Sequence, residues 1–249
     1  MDTKDKWLAQ QLRISIFPEI GILDSSKDLW PKSKKIGLDN ENIDKNAGIK
    51  TYEGNFANFK LALAVSPIKI DLVFFVALPF QIDKNNTQIN TIGTFRESIN
   101  IFSEVSAIWF KDNNFPKIIR LAFGANLIKS AESKKDAYAE LAKYVPLEIN
   151  PEKMSDFNLR MNLFKPSKII DKLIINRLST WNSLTITPEL ALIGAPHTVK
   201  MLPPKYISHV ELDINTSQEN KEAIDENKVL ELYDELINNA IEVSEKGLK

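Results

Sequence analysis

The segment Lys117-Ile118-Ile119-Arg120-Leu121-Ala122-Phe123-Gly124-Ala125-Asn126-Leu127-Ile128 decides the fold class. Its odd positions Ile119, Leu121, Phe123, Ala125 and Leu127 are apolar, while its even positions include Arg120, Ala122, Gly124 and Asn126. Side chains alternate across an extended strand, so a period of two marks a strand with one buried and one polar face. The pattern recurs along the chain. Val210, Leu212 and Ile214 oppose His209, Glu211 and Asp213. Phe157, Leu159, Met161 and Leu163 oppose Asn158, Arg160 and Asn162, and Leu12, Ile14 and Ile16 oppose Arg13 and Ser15.

Working outward, strands are expected at 10–18, 48–56, 58–66, 68–77, 156–164, 172–187 and 205–215 as well. Helical spacing of Phe95, Ile99, Phe102, Val105 or Ser106, and Trp109 predicts a helix over 93–110. A second helix fits 133–145, closed by Pro146. A long terminal helix fits 221–246, with Val229, Leu232, Leu236, Ile237, Ala240 and Val243 on one face and Gly247 as its stop. Asp24-Ser25-Ser26 caps a short helix running to Trp30, and 32–46 and 83–90 read as polar loops. Strands outnumber helices and their connections are short, which disfavours a parallel sheet. The expected fold is therefore α+β: a mostly antiparallel sheet with helices packed on one face, in a single domain spanning 1–249. Strand 117–128 with its helix resembles, in order, strand 206–215 with the terminal helix, suggesting two pseudo-repeated halves, 1–150 and 151–249.

Composition excludes several classes. The chain has 249 residues and no cysteine, which removes disulfides, thiolate metal sites and cysteine nucleophiles. Thirty-two basic residues balance thirty-three acidic ones, so net charge does not favour nucleic acid or anionic lipid. Residues 1–6 are charged and precede no apolar core of signal-peptide length. The most apolar stretch, 68–80, is too short to span a bilayer as a helix. A cytoplasmic protein without a membrane partner is expected.

Catalytic motifs are sparse. The two histidines are His197 and His209, and no His-Glu-x-x-His is present. Gly-x-Gly-x-x-Gly, Walker-type and Gly-x-Ser-x-Gly sequences are missing too. Glu132-Ser133-Lys134 matches three letters of a nuclease motif but sits at a strand-to-helix turn. The expectation is no cofactor and no catalytic residue. A metal-dependent hydrolase or nuclease using His209, Glu211 and Asp213 is the enzymatic alternative.

If the apolar faces share one core, the opposite face collects Arg13, Arg120, Arg160, His209, Glu211 and Asp213, and Arg177 joins them if its strand has the matching register. Such a face is either a ladder of cross-strand ion pairs or a platform whose arginines grip a carboxylate, a phosphate or an acidic surface. Nucleic-acid binding through Arg120, Arg160 and Arg177 is a third reading, and is not favoured. Arg120-Leu121-Ala122-Phe123-Gly124-Ala125, Ile175-Asn176-Arg177-Leu178-Ser179 and Glu211-Leu212-Asp213-Ile214-Asn215-Thr216 occur in that order before the long terminal helix. This resembles a sporadically distributed group of uncharacterised prokaryotic proteins. The resemblance implies genes that travel in defence or toxin–antitoxin loci, and brings no catalytic residues. The leading expectation is a non-enzymatic subunit that binds a protein partner through the polar sheet face or the terminal helix.

Overall fold

The computed structural model describes residues 6–19, 28–83, 86–113, 115–191 and 199–248. In its first part β1 (Leu8–Pro18), β2 (Ile36–Asp44), β3 (Ile49–Phe56), β4 (Phe59–Ser66) and β5 (Lys69–Phe75) are followed by the hairpin of β6 (Phe80–Asp83) and β7 (Asn86–Ile89). Next come β8 (Gly93–Thr94), α1 (Phe95–Asp112), β9 (Ile118–Ala131) and α2 (Lys134–Ala142). β10 (Asn158–Pro166), β11 (Ile174–Ile186), the β12 (Glu189–Ala191)–β13 (Val199–Met201) hairpin, β14 (Lys205–Thr216) and α3 (Val229–Lys246) complete the chain.

One open antiparallel sheet runs β10-β11-β14-β9-β1-β5-β4-β3-β2, with β8 also joined to the start of β1. The fold is α+β, as the alternation predicts. The sheet runs unbroken across position 150, and β9 and β14 are hydrogen-bonded neighbours within it.

Register puts the apolar sets on one face: Val210 beside Leu127, Leu212 beside Ala125, Ile214 beside Phe123, and Phe123 beside Ile14. β1 keeps this face through a bulge between Ala9 and Gln11, so Ala9 and Leu12 are both buried in the core. The helices cover the same face. Phe102 of α1 stacks on Phe74 of β5 with ring centroids 5.9 Å apart. Tyr233 of α3 meets Phe123 edge-on and hydrogen-bonds Ser106 of α1 at 3.1 Å. Tyr144, just past α2, stacks on Trp181 of β11. Each such aromatic buries a large apolar area and contributes about 1.5–3 kcal/mol.

Helix boundaries follow local chemistry. Thr94 and Glu97 form a reciprocal capping box at the start of α1. Ser133 accepts from the Asp136 amide to start α2. α3 begins at Val229, the first of its apolar positions, and later than the expected 221, because Asp225 accepts from the Asn227 amide and opens a short 3-10 turn over Glu226–Lys228 first. Gly247 ends α3 at φ 71, with the Tyr144 backbone so near that a Cβ could not fit.

Two polar stretches expected as loops are strands. Within 32–46 lies β2, an edge strand exposed at every residue but Ile36, so no alternation betrays it. Within 83–90 lies part of the β6–β7 hairpin. The helix expected from Asp24 falls largely outside the described residues, and 28–30 are not helical. Among the described residues no helix is long and apolar enough to cross a membrane.

Candidate binding face

The helix-free face of the sheet carries six of the seven expected residues. Arg160 on β10 pairs with Thr180 on β11, Thr180 with Glu211 on β14, and Glu211 with Asn126 on β9. The next row runs Asn162, Leu178, Asp213, Gly124 and Arg13. Asn158, Arg160, Leu178, Thr180, Glu211 and Asp213 line a shallow depression of about 410 Å³ on this face.

Arg13 reaches across its register partner Gly124, where a Cβ would lie 3.2 Å from Nη2 and 3.3 Å from Nε. Its Nε is buried without a hydrogen-bond partner. Arg120 instead sits over its cross-strand partner Phe17, with Cζ 4.5 Å from the ring centroid, and donates Nε–H to the Thr216 carbonyl at 3.1 Å. Burial pulls its pKa below the ordinary arginine value and the charge of Asp213 opposes this, so the guanidinium keeps its proton. His209 shares a hydrogen bond with Asn182 of β11, Nδ1 to Oδ1, at 3.0 Å. Burial lowers its pKa, with the charge of Glu211 opposing.

Sequence reasoning missed an amide ladder between these rows. Asn162 Nδ2 donates to Asn176 Oδ1 at 3.1 Å, and Asn176 Nδ2 to Asn215 Oδ1 at 3.2 Å. Asn215 Nδ2 then donates to Asp213 Oδ1 at 3.1 Å. The ladder orients one oxygen of Asp213 and ties β10, β11 and β14 together on the open side.

The seventh residue is a correction. Arg177 pairs with Ile214 and Leu163, which point to the helices, so it lies on the covered face. Its side chain is 14% exposed and its Nη2 stands 4.0 Å from Glu242 of α3. An arginine fits there because α3 brings a carboxylate over the sheet edge. The aromatics that could have served a stacking platform are buried in the core: Tyr52, Phe56 and Trp181. His197 lies outside the described residues.

The ion-pair ladder also fails to form. Among the described residues, Arg13, Arg160, Glu211 and Asp213 have no opposite charge within 4.0 Å, whereas Lys35–Glu104, Lys50–Glu41 and Lys60–Asp39 are paired elsewhere. Register explains this. Thr180 separates Arg160 from Glu211, and Gly124 separates Arg13 from Asp213, so the backbones of each pair stand about 10 Å apart across two strands.

The same geometry argues against a metal site on β14. His209, Glu211 and Asp213 share a face but succeed one another about 7 Å apart. Their lateral neighbours are Asn182, Thr180 and Leu178 on one side and Ile128, Asn126 and Gly124 on the other. Among the described residues no group of three or more His, Asp or Glu could hold a metal ion. Glu132-Ser133-Lys134 is spent on structure: Ser133 caps α2, and Lys134 Nζ bonds the Ser155 carbonyl.

α3 offers less free acidic surface than its sequence implies. Glu235 accepts from Ser167 Oγ at 2.6 Å and from the Lys168 amide at 2.7 Å, while Glu242 pairs with Lys165 and Glu245 with Arg96. No protein-family model, no curated protein and no solved structure matches this chain.

Proposed function

We propose that this chain is a non-enzymatic binding or assembly subunit that holds a protein partner on the open face of its sheet, in the setting of prokaryotic defence that the sequence resemblance implies. The observation that supports it is that, among the described residues, Arg13, Arg160, Glu211 and Asp213 share one sheet face without ion-pair partners. Charges that form no direct ion pair with one another keep hydrogen-bonding capacity for groups brought by another molecule. Carboxylates interleaved with the arginines repel a phosphate backbone, which favours a protein surface carrying both signs over nucleic acid.

Co-expression of the tagged chain with the products of its flanking genes, followed by size-exclusion chromatography, tests this reading. Glu211→Lys is expected to abolish a complex that the wild-type chain forms, with thermal unfolding unchanged, and Asp213→Lys to abolish it with a lowered melting temperature, since Asp213 also accepts from Asn215 and supports the charge of Arg120. A complex that survives both reversals, or a chain that binds none of those products, overturns it.

A further inference from the structure

A groove of about 430 Å³ runs between α3 and the end of β10 with its following turn, a size within the range of small-molecule sites. Its helix wall is one polar stripe: Glu231, Asp234, Glu235, Asn238, Asn239 and Glu242 recur at helical spacing along about 16 Å of α3. Lys165, Lys168 and Ile169 form the other wall. The lining therefore sets four carboxylates against two lysines. Asn239 is the most deeply buried residue of the stripe, at 4% exposed. Its Nδ2 donates back to the Glu235 carbonyl at 2.8 Å, so the oxygen is the polar atom it offers to the groove. That Oδ1 is buried and has no hydrogen-bond partner. An amide oxygen accepts up to two hydrogen bonds, and leaving a buried one empty is costly.

The carboxylates divide into two groups. Glu235 is engaged by Ser167 and the Lys168 amide, and Glu242 by Lys165 at 3.1 Å. Glu231 and Asp234 are exposed, and among the described residues neither joins an ion pair. Partial burial raises the Asp234 pKa, and no neighbouring cation offsets it. An acceptor and two carboxylates without partners, in a groove of net negative charge, call for a cation. They do not suit a metal ion: among the described residues no three His, Asp or Glu converge on one point. The acceptors from Glu231 to Asn239 instead spread over about 12 Å of helix. We infer that this groove binds a linear alkyl polyamine, one ammonium group donating to Asn239 Oδ1 and the chain running past Ile169 toward Asp234 and Glu231. Separated ammonium groups match spaced acceptors, and the methylenes between them match the apolar side chain on the opposite wall. The inference is independent of any partner on the open face, because the groove belongs to the helix-covered side.

Titration calorimetry with spermidine at physiological ionic strength tests it. Saturation at one spermidine per chain is expected, and magnesium chloride at the same ionic strength is expected not to displace it. Asp234→Asn and Asn239→Ala are each expected to weaken binding roughly tenfold. Asp234 is exposed, so its substitution leaves the melting temperature unchanged and reads binding alone. Glu219→Gln removes an exposed carboxylate outside the groove and is expected to leave the affinity as it was. No binding of spermidine, displacement by magnesium, undiminished affinity in Asp234→Asn, or an equal loss in Glu219→Gln overturns the inference.

Discussion

The guanidinium of Arg13 on β1 lies over Gly124 on β9, its nearest nitrogen 3.2 Å from where a Cβ would stand. Glycine at this place is a matter of space, since a side chain would collide with the flexible end of Arg13 and with no backbone. Gly124→Ala is therefore expected to fold, with stability within about 1 kcal/mol of wild type, because alanine also removes the entropic cost of glycine in a strand. The guanidinium must move, however. The displacement needed is a few tenths of an ångström, so a weakening of the partner complex smaller than that of Arg13→Ala, at an unchanged melting temperature, is the expected outcome.

Lys129 ends the run of covered-face residues on β9 and is 5% exposed at its side chain. Its ammonium donates to Glu140 Oε1 of α2 and to Tyr144 Oη at 2.8 Å, and lies 5.0 Å from the Trp7 ring centre. Burial pushes Glu140 up, but the hydrogen bonds and charges of Lys129 and Lys143 outweigh it, leaving the carboxyl below its ordinary range. Lys129→Met removes the buried partner of that carboxylate, which keeps its pair with Lys143, and is expected to cost roughly 1–3 kcal/mol in urea unfolding. The double variant Lys129→Met, Glu140→Leu is expected to recover most of the loss. A recovery no better than additive would show that the two groups act separately.

Much of the sheet was legible in the alternation of β1, β9, β10 and β14, because each has one apolar face against the core. β11 was not. Its covered face holds Arg177 and Ser179, the latter accepting from Trp181 Nε1 at 2.9 Å, while its open face holds Leu178. Polarity therefore crosses between its two sides, and only pairing with β14 fixes the register. That is why Arg177 joins the open-face set only on a condition of register that the pairing with β14 does not meet, and why Asn176, Thr180 and Asn182 give no signal as members of that face. β2 was illegible for the opposite reason: a strand exposed on both faces has no pattern to read. The same-face charges were correctly grouped, but their spacing depends on which strands intervene, and single-strand periodicity carries no strand order.

Glu235 of α3 fixes the turn between β10 and β11 by accepting from Ser167 Oγ and the Lys168 amide. Two hydrogen bonds to one largely buried carboxylate make this a joint between the terminal helix and the sheet edge. Glu235→Ala is expected to destabilise the chain by about 2 kcal/mol. Hydrogen exchange should locate the effect: amides of 158–170 lose protection first, while those of β1 and β9 keep theirs.

His209 gives the chain a pH response above the range of the carboxylates. Its folded pKa is depressed, chiefly by burial, with Glu211 on the same strand opposing; its lateral neighbours Asn182 and Ile128 are uncharged. The unfolded chain therefore takes up a proton near the ordinary histidine pKa of about 6.5, while the folded chain holds out to lower pH. Stability from this group is fully present above that value and is lost as pH falls through the folded pKa. The midpoint of urea unfolding is expected to decline between about pH 7 and pH 5. His209→Gln should flatten that decline, since a neutral side chain at 209 has no proton to gain. An equal slope in the variant would move the response to another group and remove His209 as its cause.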